Sequence, residues 1–96
     1  PYTSRDLILE GKGLSFLVPE IQLFTNLTTL NIGHNKLRVL PHEVFKLSQL
    51  EVLDITDNDL LELPNDIRNL SRLEVLILSS NHIPRLPDGI YDLVSL

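Results

Sequence analysis

Apolar and polar residues along the chain follow a pattern that repeats every 23 residues. Residues 27–49, 50–72 and 73–95 align without gaps, with apolar side chains at positions 1, 4, 6, 11, 14, 18 and 21 of each unit, asparagine at position 9 and proline at position 15. A degenerate copy precedes them over residues 4–26, where Ser4 stands at position 1, Lys12 at position 9 and Pro19 one place late. A fixed period of this length indicates a repeat architecture, in which units stack to bury a shared core.

Each unit predicts the same local elements. The apolar alternation, as at Leu50, Leu53 and Ile55, is typical of a short strand with one buried side. The asparagine at position 9 can bond backbone groups of the turn, where the strand ladder no longer satisfies them, so it predicts a structural ladder of amides. The Leu-Pro pair favours an extended chain that then enters a turn, and the apolar spacing of three after it favours a short helix or 3₁₀ turn.

Stacking these units would place their strands in one parallel sheet, and the fold class is therefore α/β with a curved solenoid shape. At about 4.8 Å per strand, four strands give a sheet only about 14 Å across, so the curvature should be slight. We treat residues 1–96 as a single domain, with repeats 4–26, 27–49, 50–72 and 73–95.

The repeat Leu-x-x-Leu-x-Leu-x-x-Asn-x-Leu-x-x-Leu-Pro-x-x-Ile-x-x-Leu-x-x resembles the leucine-rich repeat in its 23-residue Leu-Pro variety, over residues 4–95. The resemblance implies a parallel sheet on the concave side, short helical or 3₁₀ segments on the convex side, and a role in binding proteins. It implies no catalytic residues. Typical secreted members carry cysteine-rich caps, and this chain has no cysteine. An intracellular, cytoplasmic location is the expectation.

Composition and charge narrow the range of partners. The formal net charge is −5, and neither nucleic acid nor an anionic membrane surface is an expected partner, since both require clustered Lys and Arg. The longest apolar run is only a few residues, so we expect no transmembrane span. The chain begins at Pro1, and Leu96 would be position 1 of a further repeat. We expect a fragment of a longer protein.

Side chains at positions 3, 5, 7 and 8 of each unit should point away from the core, with position 10 at the rim. Val52 and Val75 then become neighbours on adjacent strands, with Ile77 one pleat along, and form a small exposed apolar patch. A partner-binding anchor is one interpretation of this patch. The other is the ordinary preference of β-branched residues for strands.

Acidic charge concentrates beside this patch. The formal charge is +2 for residues 27–49 and −4 for residues 50–72, and Asp54, Asp57 and Asp59 surround the two valines. An apolar anchor with a charged rim would steer a basic partner surface, although a solvated, solubilising face is the alternative. We predict that a protein partner uses Lys or Arg at a site formed by Val52, Asp54, Asp57, Val75 and Ile77.

The sequence contains no convincing chemistry of another kind. A calcium loop starting at Asp57 would need an oxygen ligand at Leu61, and the three histidines fall at different unit positions, so no metal site is predicted. Thr56 with His34 and Asp54 lacks any sign of a pocket or oxyanion donors. Asn26-Leu-Thr and Asn69-Leu-Ser match the glycosylation sequon, which matters only in a secreted protein. We expect no cofactor and no enzymatic activity.

The expected function is a non-catalytic protein-interaction module that binds through its concave strand face. Alternatives are the partner-docking repeat segment of a fungal-type deadenylase in mRNA decay, a secreted ligand-recognition protein, and a regulatory segment of an enzyme. Because neither end shows a polar cap, self-association or fraying through the last repeat is also expected, with Leu96 as the main liability.

Overall fold

The computed structural model describes residues 5–93 and Ser95. The interpretations of Ser4 as the start of the first unit and of Leu96 as the start of a further repeat therefore lie outside the described residues. No helical segment within the described ranges is long and apolar enough to cross a membrane.

One short strand starts each repeat, and the four strands form a single parallel sheet. They are β1 (Asp6–Ile8), β2 (Thr29–Asn31), β3 (Val52–Asp54) and β4 (Val75–Ile77), in the sheet order β1-β2-β3-β4. The register places Leu7, Leu30, Leu53 and Leu76 side by side. The prediction that equivalent leucines of successive repeats are stacked neighbours is confirmed.

Four 3₁₀ segments lie across the core from the strands and complete the repeats. They are η1 (Pro19–Leu23), η2 (His42–Lys46), η3 (Asn65–Asn69) and η4 (Asp88–Asp92). The prolines of the Leu-Pro pairs are extended, and their carbonyls start the turn: Val44 N donates to Pro41 O at 3.1 Å, and Ile67 N to Pro64 O at 3.1 Å. Of the predicted alternatives, a short helix or a 3₁₀ turn, the structure has the 3₁₀ turn, because these hydrogen bonds join residues three apart along the chain.

The core runs continuously between the strands and the 3₁₀ segments. Leu30, Leu53 and Ile67 are fully buried, as are most equivalent residues of the two middle repeats. Leu7 and Leu76, on the outer strands, are only partly buried and pack against this cluster. Stacking therefore buries the middle repeats most completely, as expected for a solenoid.

A ladder of asparagine amides holds the turn after each strand. The Asn58 Oδ1 accepts from Leu37 N at 3.0 Å, while its Nδ2 donates to Ile32 O at 3.0 Å and to Ile55 O at 3.2 Å. Asn35 and Asn81 make the equivalent bonds, each to its own repeat and to the preceding one. Each amide thus joins its own repeat to the preceding one, and the predicted structural ladder is confirmed.

The backbone at position 8 departs from the extended geometry that we expected of a strand residue. His34, Asp57 and Ser80 have φ values of 55°, 55° and 60°, and Gly11 in the first repeat has 65°. The strands span positions 3 to 5 only, although inter-repeat bonds such as His34 N to Thr56 O at 2.7 Å continue the ladder into the turn. Position 8 is therefore a left-handed turn residue, for which Gly, Asp or Asn is favoured.

Candidate partner-binding surface

Alternate residues of the four strands form two rows on the side of the sheet away from the core. Successive side chains of a strand point to opposite faces of the sheet, so the residues on either side of each core leucine point away from the core. We call the surface made by these two rows the strand face. Its position-3 row is Asp6, Thr29, Val52, Val75, and its position-5 row is Ile8, Asn31, Asp54, Ile77.

The three apolar residues of the predicted site lie together on this face. Val52 pairs with Val75 across β3 and β4, and Asp54 pairs with Ile77 in the same two strands. Val75 is 44% exposed, whereas Val52 and Ile77 are half-buried. Ile8, which the prediction left out, is 54% exposed at the far end of the position-5 row. Val75 is therefore the most accessible apolar anchor of the predicted set.

Asp54 has a structural bond that sequence reasoning missed. Its Oδ1 accepts from Thr56 N at 2.9 Å and also from the Thr56 hydroxyl. Asn31, the neighbour in β2, makes the same bond to Gly33 N at 2.9 Å. Asp and Asn side chains often bond the backbone two residues further along the chain. An Asp or Asn at position 5 was therefore the sequence feature from which this bond could have been predicted. One oxygen of Asp54 thus closes the turn after β3.

Asp57 is also engaged, through a histidine of the preceding repeat. The Asp57 Oδ2 lies 2.9 Å from the His34 Nδ1, and both side chains are more than half exposed. The hydrogen bond with Asp57, together with the negative charges of Asp57, Glu10 and Asp54, raises the pKa of His34 above 6.5. The two residues share unit position 8, so their separation of 23 residues was the signal for this pair.

The remaining histidines pair with other acids. The His82 Nε2 lies 3.9 Å from the Asp59 Oδ1, and the His42 Nε2 lies 3.1 Å from the Glu43 Oε2. Among the described residues, no three His, Cys, Asp or Glu side chains are grouped so that they could hold a metal ion. The Thr56 hydroxyl donates to the Asp54 Oδ1, the same oxygen that accepts from Thr56 N.

The parallel sheet, the 3₁₀ segments and the asparagine ladder define a solenoid repeat protein with an open strand face. The family model for the leucine rich repeat matches residues 25–83, and the chain belongs to the leucine-rich-repeat family. No curated protein sequence matches the chain at a significant level. Proteins with this fold are typically non-catalytic and typically bind other proteins.

Solved structures with the same fold include bacterial and plant proteins. A leucine-rich-repeat protein of Leptospira interrogans is 37% identical, with a TM-score of 0.85, over 88% of this chain and 21% of that one. The plant peptide hormone receptor RGFR1 in complex with RGF2 is 33% identical, with a TM-score of 0.80, over 95% and 15%. The ectodomain of the receptor kinase SOBIR1 from Arabidopsis thaliana is 30% identical, with a TM-score of 0.79, over 94% and 51%. The chain thus spans about half of these relatives or less.

Proposed function

We propose that the chain is a non-catalytic module that binds a protein partner through its strand face. Val75, with Val52 and Ile77 beside it, supplies the apolar anchor, and Asp54 and Asp57 supply the acidic rim. The observation that carries this proposal is the in-register pair of Val52 and Val75 on the face away from the core. A central apolar contact surrounded by a polar rim is the usual arrangement of a protein interface.

The charge of this region favours a partner with a basic surface. Residues 50–72 carry a formal charge of −4 within a chain of net charge −5. The His34 imidazole offsets the charge of Asp57 only when it is protonated, and a partner Lys or Arg would replace it there. A standard interface buries about 800 Å² on each side, so the contact should extend along both rows towards Thr29 and Asn31.

Binding of proteins from the native source to the immobilised chain tests this proposal. Val75→Asp should lose the partner, because it places a charge in the apolar anchor. Tyr91→Asp is the matched control, since Tyr91 is 85% exposed in η4 and lies off the strand face. The affinity of the purified partner is then measured for the unaltered chain, Val75→Asp and Tyr91→Asp. Equal affinities for the three would show that the partner binds outside the strand face.

The acidic rim is tested separately with Asp57→Asn. Asparagine tolerates the left-handed backbone at this position and removes only the charge. We expect weaker binding and a smaller salt dependence, because electrostatic steering is lost. This variant is preferable to Asp54→Lys, which would also break the bond that closes the turn after β3.

Recognition of a secreted peptide ligand is the second candidate. It is favoured by the similarity to the plant receptor whose structure contains a peptide hormone. Asn26 and Asn69, the two sequon asparagines, are both exposed and accessible to a glycan. Glycans detected at these residues by mass spectrometry of the native protein would favour this candidate. A nuclease that copurifies with the intact protein would favour the intracellular deadenylase hypothesis instead.

A further inference from the structure

A surface cavity of about 180 Å³ lies between the second and third repeats, beside η2 and η3 and off the strand face. Val39, Leu40, Phe45 and Pro64 form its apolar wall, and its polar lining consists of His42, Glu62 and Asp66. Small-molecule sites usually measure about 300 to 1,000 Å³, so this cavity has the size for a single side chain.

No cation of the described residues pairs with the two carboxylates of the cavity. In the part of the chain that the structure describes, neither Glu62 nor Asp66 takes part in an ion pair or a side-chain hydrogen bond. His42 lines the same cavity, but its Nε2 pairs with Glu43. On the strand face, by contrast, Asp54 and Asp57 are both hydrogen-bonded within the protein. The charge of the cavity is therefore available to a ligand.

This combination occurs in only one repeat. Glu62 stands at position 13 and Asp66 at position 17, and no other repeat has acids at both positions. The last repeat has Arg85 and Gly89 there, and the second has Val39 and Glu43. The acidic cavity is thus a local feature of this chain and not a consequence of the repeat pattern.

We propose that this cavity receives an arginine side chain of a protein partner, at a site separate from the strand face. An apolar wall beside two carboxylates matches a side chain with an aliphatic stem and a cationic head. Arginine fits better than lysine, because its planar guanidinium can bond two carboxylates at once and stack on flat apolar groups. Arginine is also enriched among the side chains that anchor protein interfaces.

NMR titration of the ¹⁵N-labelled chain with acetyl-Gly-Arg-Gly-amide tests the proposal. The amide signals of Val39, Phe45 and Asp66 should shift. The peptide with citrulline in place of arginine has the same shape without the charge. It should bind at least about tenfold more weakly, or not at all, because hydrogen bonds from a charged donor to a carboxylate are the stronger ones. The lysine peptide should bind more weakly than the arginine peptide.

Variants of the chain complete the test. Glu62→Gln combined with Asp66→Asn should weaken arginine-peptide binding about tenfold. The matched control is Glu20→Gln combined with Glu74→Gln, which removes two exposed carboxylates outside the cavity and should leave binding unchanged. Val39→Lys, at an exposed residue of the wall, should block the cavity with a tethered cation.

Four results would overturn the proposal. These are the absence of any shift, shifts confined to the strand face, equal binding of the citrulline or lysine peptide, and equal binding by the charge-removed variant. Shifts confined to the strand face would instead support the proposed basic partner there. The other three results leave the strand-face proposal untouched, because the cavity variants leave Val52 and Val75 unchanged.

Discussion

In the second and third repeats, polar side chains at positions 5 and 9 determine how the strand passes into its turn. Asn58 satisfies backbone groups of two repeats from inside the core, and Asp54 closes the turn from the strand face. Because a buried backbone group without a partner costs free energy, these side chains favour this turn geometry over others.

Asn58→Asp should destabilise the fold by about 3 kcal/mol, because an oxygen would face the three carbonyls to which the amide now donates. Urea unfolding measures this loss. Asn69→Asp is the control, since Asn69 is exposed at the end of η3. Equal urea midpoints for the two variants would show that the ladder is not needed for stability.

Asp57→Asn should lower the pKa of His34 towards 6.5, because it removes the carboxylate that stabilises the imidazolium. An NMR pH titration of the His34 ring measures the change. Asp88→Asn, a change at an exposed carboxylate of η4, should leave the His34 curve as it is. A His34 curve that Asp57→Asn does not alter would contradict the pairing.

The same pair gives a pH dependence of stability. The pKa of His34 is higher in the folded state, so protonation favours folding. The contribution is fully present below about 6.5 and is lost as the pH rises through the folded-state value. The difference in free energy of unfolding between the native chain and Asp57→Asn should therefore shrink over this window.

At the scale of the element, the 3₁₀ segments approach each other closely where a glycine allows it. Gly89 of η4 is buried, and a Cβ built there would lie 2.5 Å from Asn65 O of η3. Its N donates to the Asn65 Oδ1 at 2.9 Å. The close contact between η3 and η4 therefore depends on residue 89 being a glycine, which has no side chain.

Gly89→Ala should destabilise the fold by about 2 kcal/mol, since backbone must move to admit the methyl group. Thermal unfolding measures the effect. Asp88→Ala changes the preceding, exposed residue of the same segment and should have little effect. Equal unfolding temperatures for the two variants would contradict the close approach of η3 and η4.

Periodicity alone predicts the strands, the 3₁₀ segments, the stacked leucines and the amide ladder, because each depends on spacing within one repeat. The bond from Asp54 to Thr56, the pair of His34 with Asp57 and the acidic cavity were missed. They depend on side-chain placement within a turn or between repeats, which the apolar pattern does not encode.

At the scale of the whole molecule, burial falls from the middle repeats towards the fourth. Leu53 and Leu60 are fully buried, whereas Leu76 and Ile83, their equivalents in the fourth repeat, are only partly buried. Leu86 is 53% exposed, although its equivalent Leu63 is 4% exposed. The fourth repeat thus exposes apolar side chains whose equivalents in the third repeat are buried.

The isolated chain should associate or fray through this repeat, because stacking on a neighbour buries the exposed leucines. Light scattering should show an average mass that rises with concentration, or hydrogen exchange should be faster in β4 than in β3. Leu86→Glu should reduce association, while Leu61→Glu, at an exposed leucine of the third repeat, should not. A monomer at high concentration with β4 as protected as β3 would contradict this.

Scalar couplings across hydrogen bonds test most directly whether the repeats stack in register, on which the strand face depends. We expect couplings from Val75 N to the Glu51 carbonyl carbon, whose bond measures 3.0 Å, and from Ile55 N to the Ile77 carbonyl carbon, at 2.9 Å. Couplings shifted by one residue would contradict the account, since such a slip would turn Val52 and Val75 into the core.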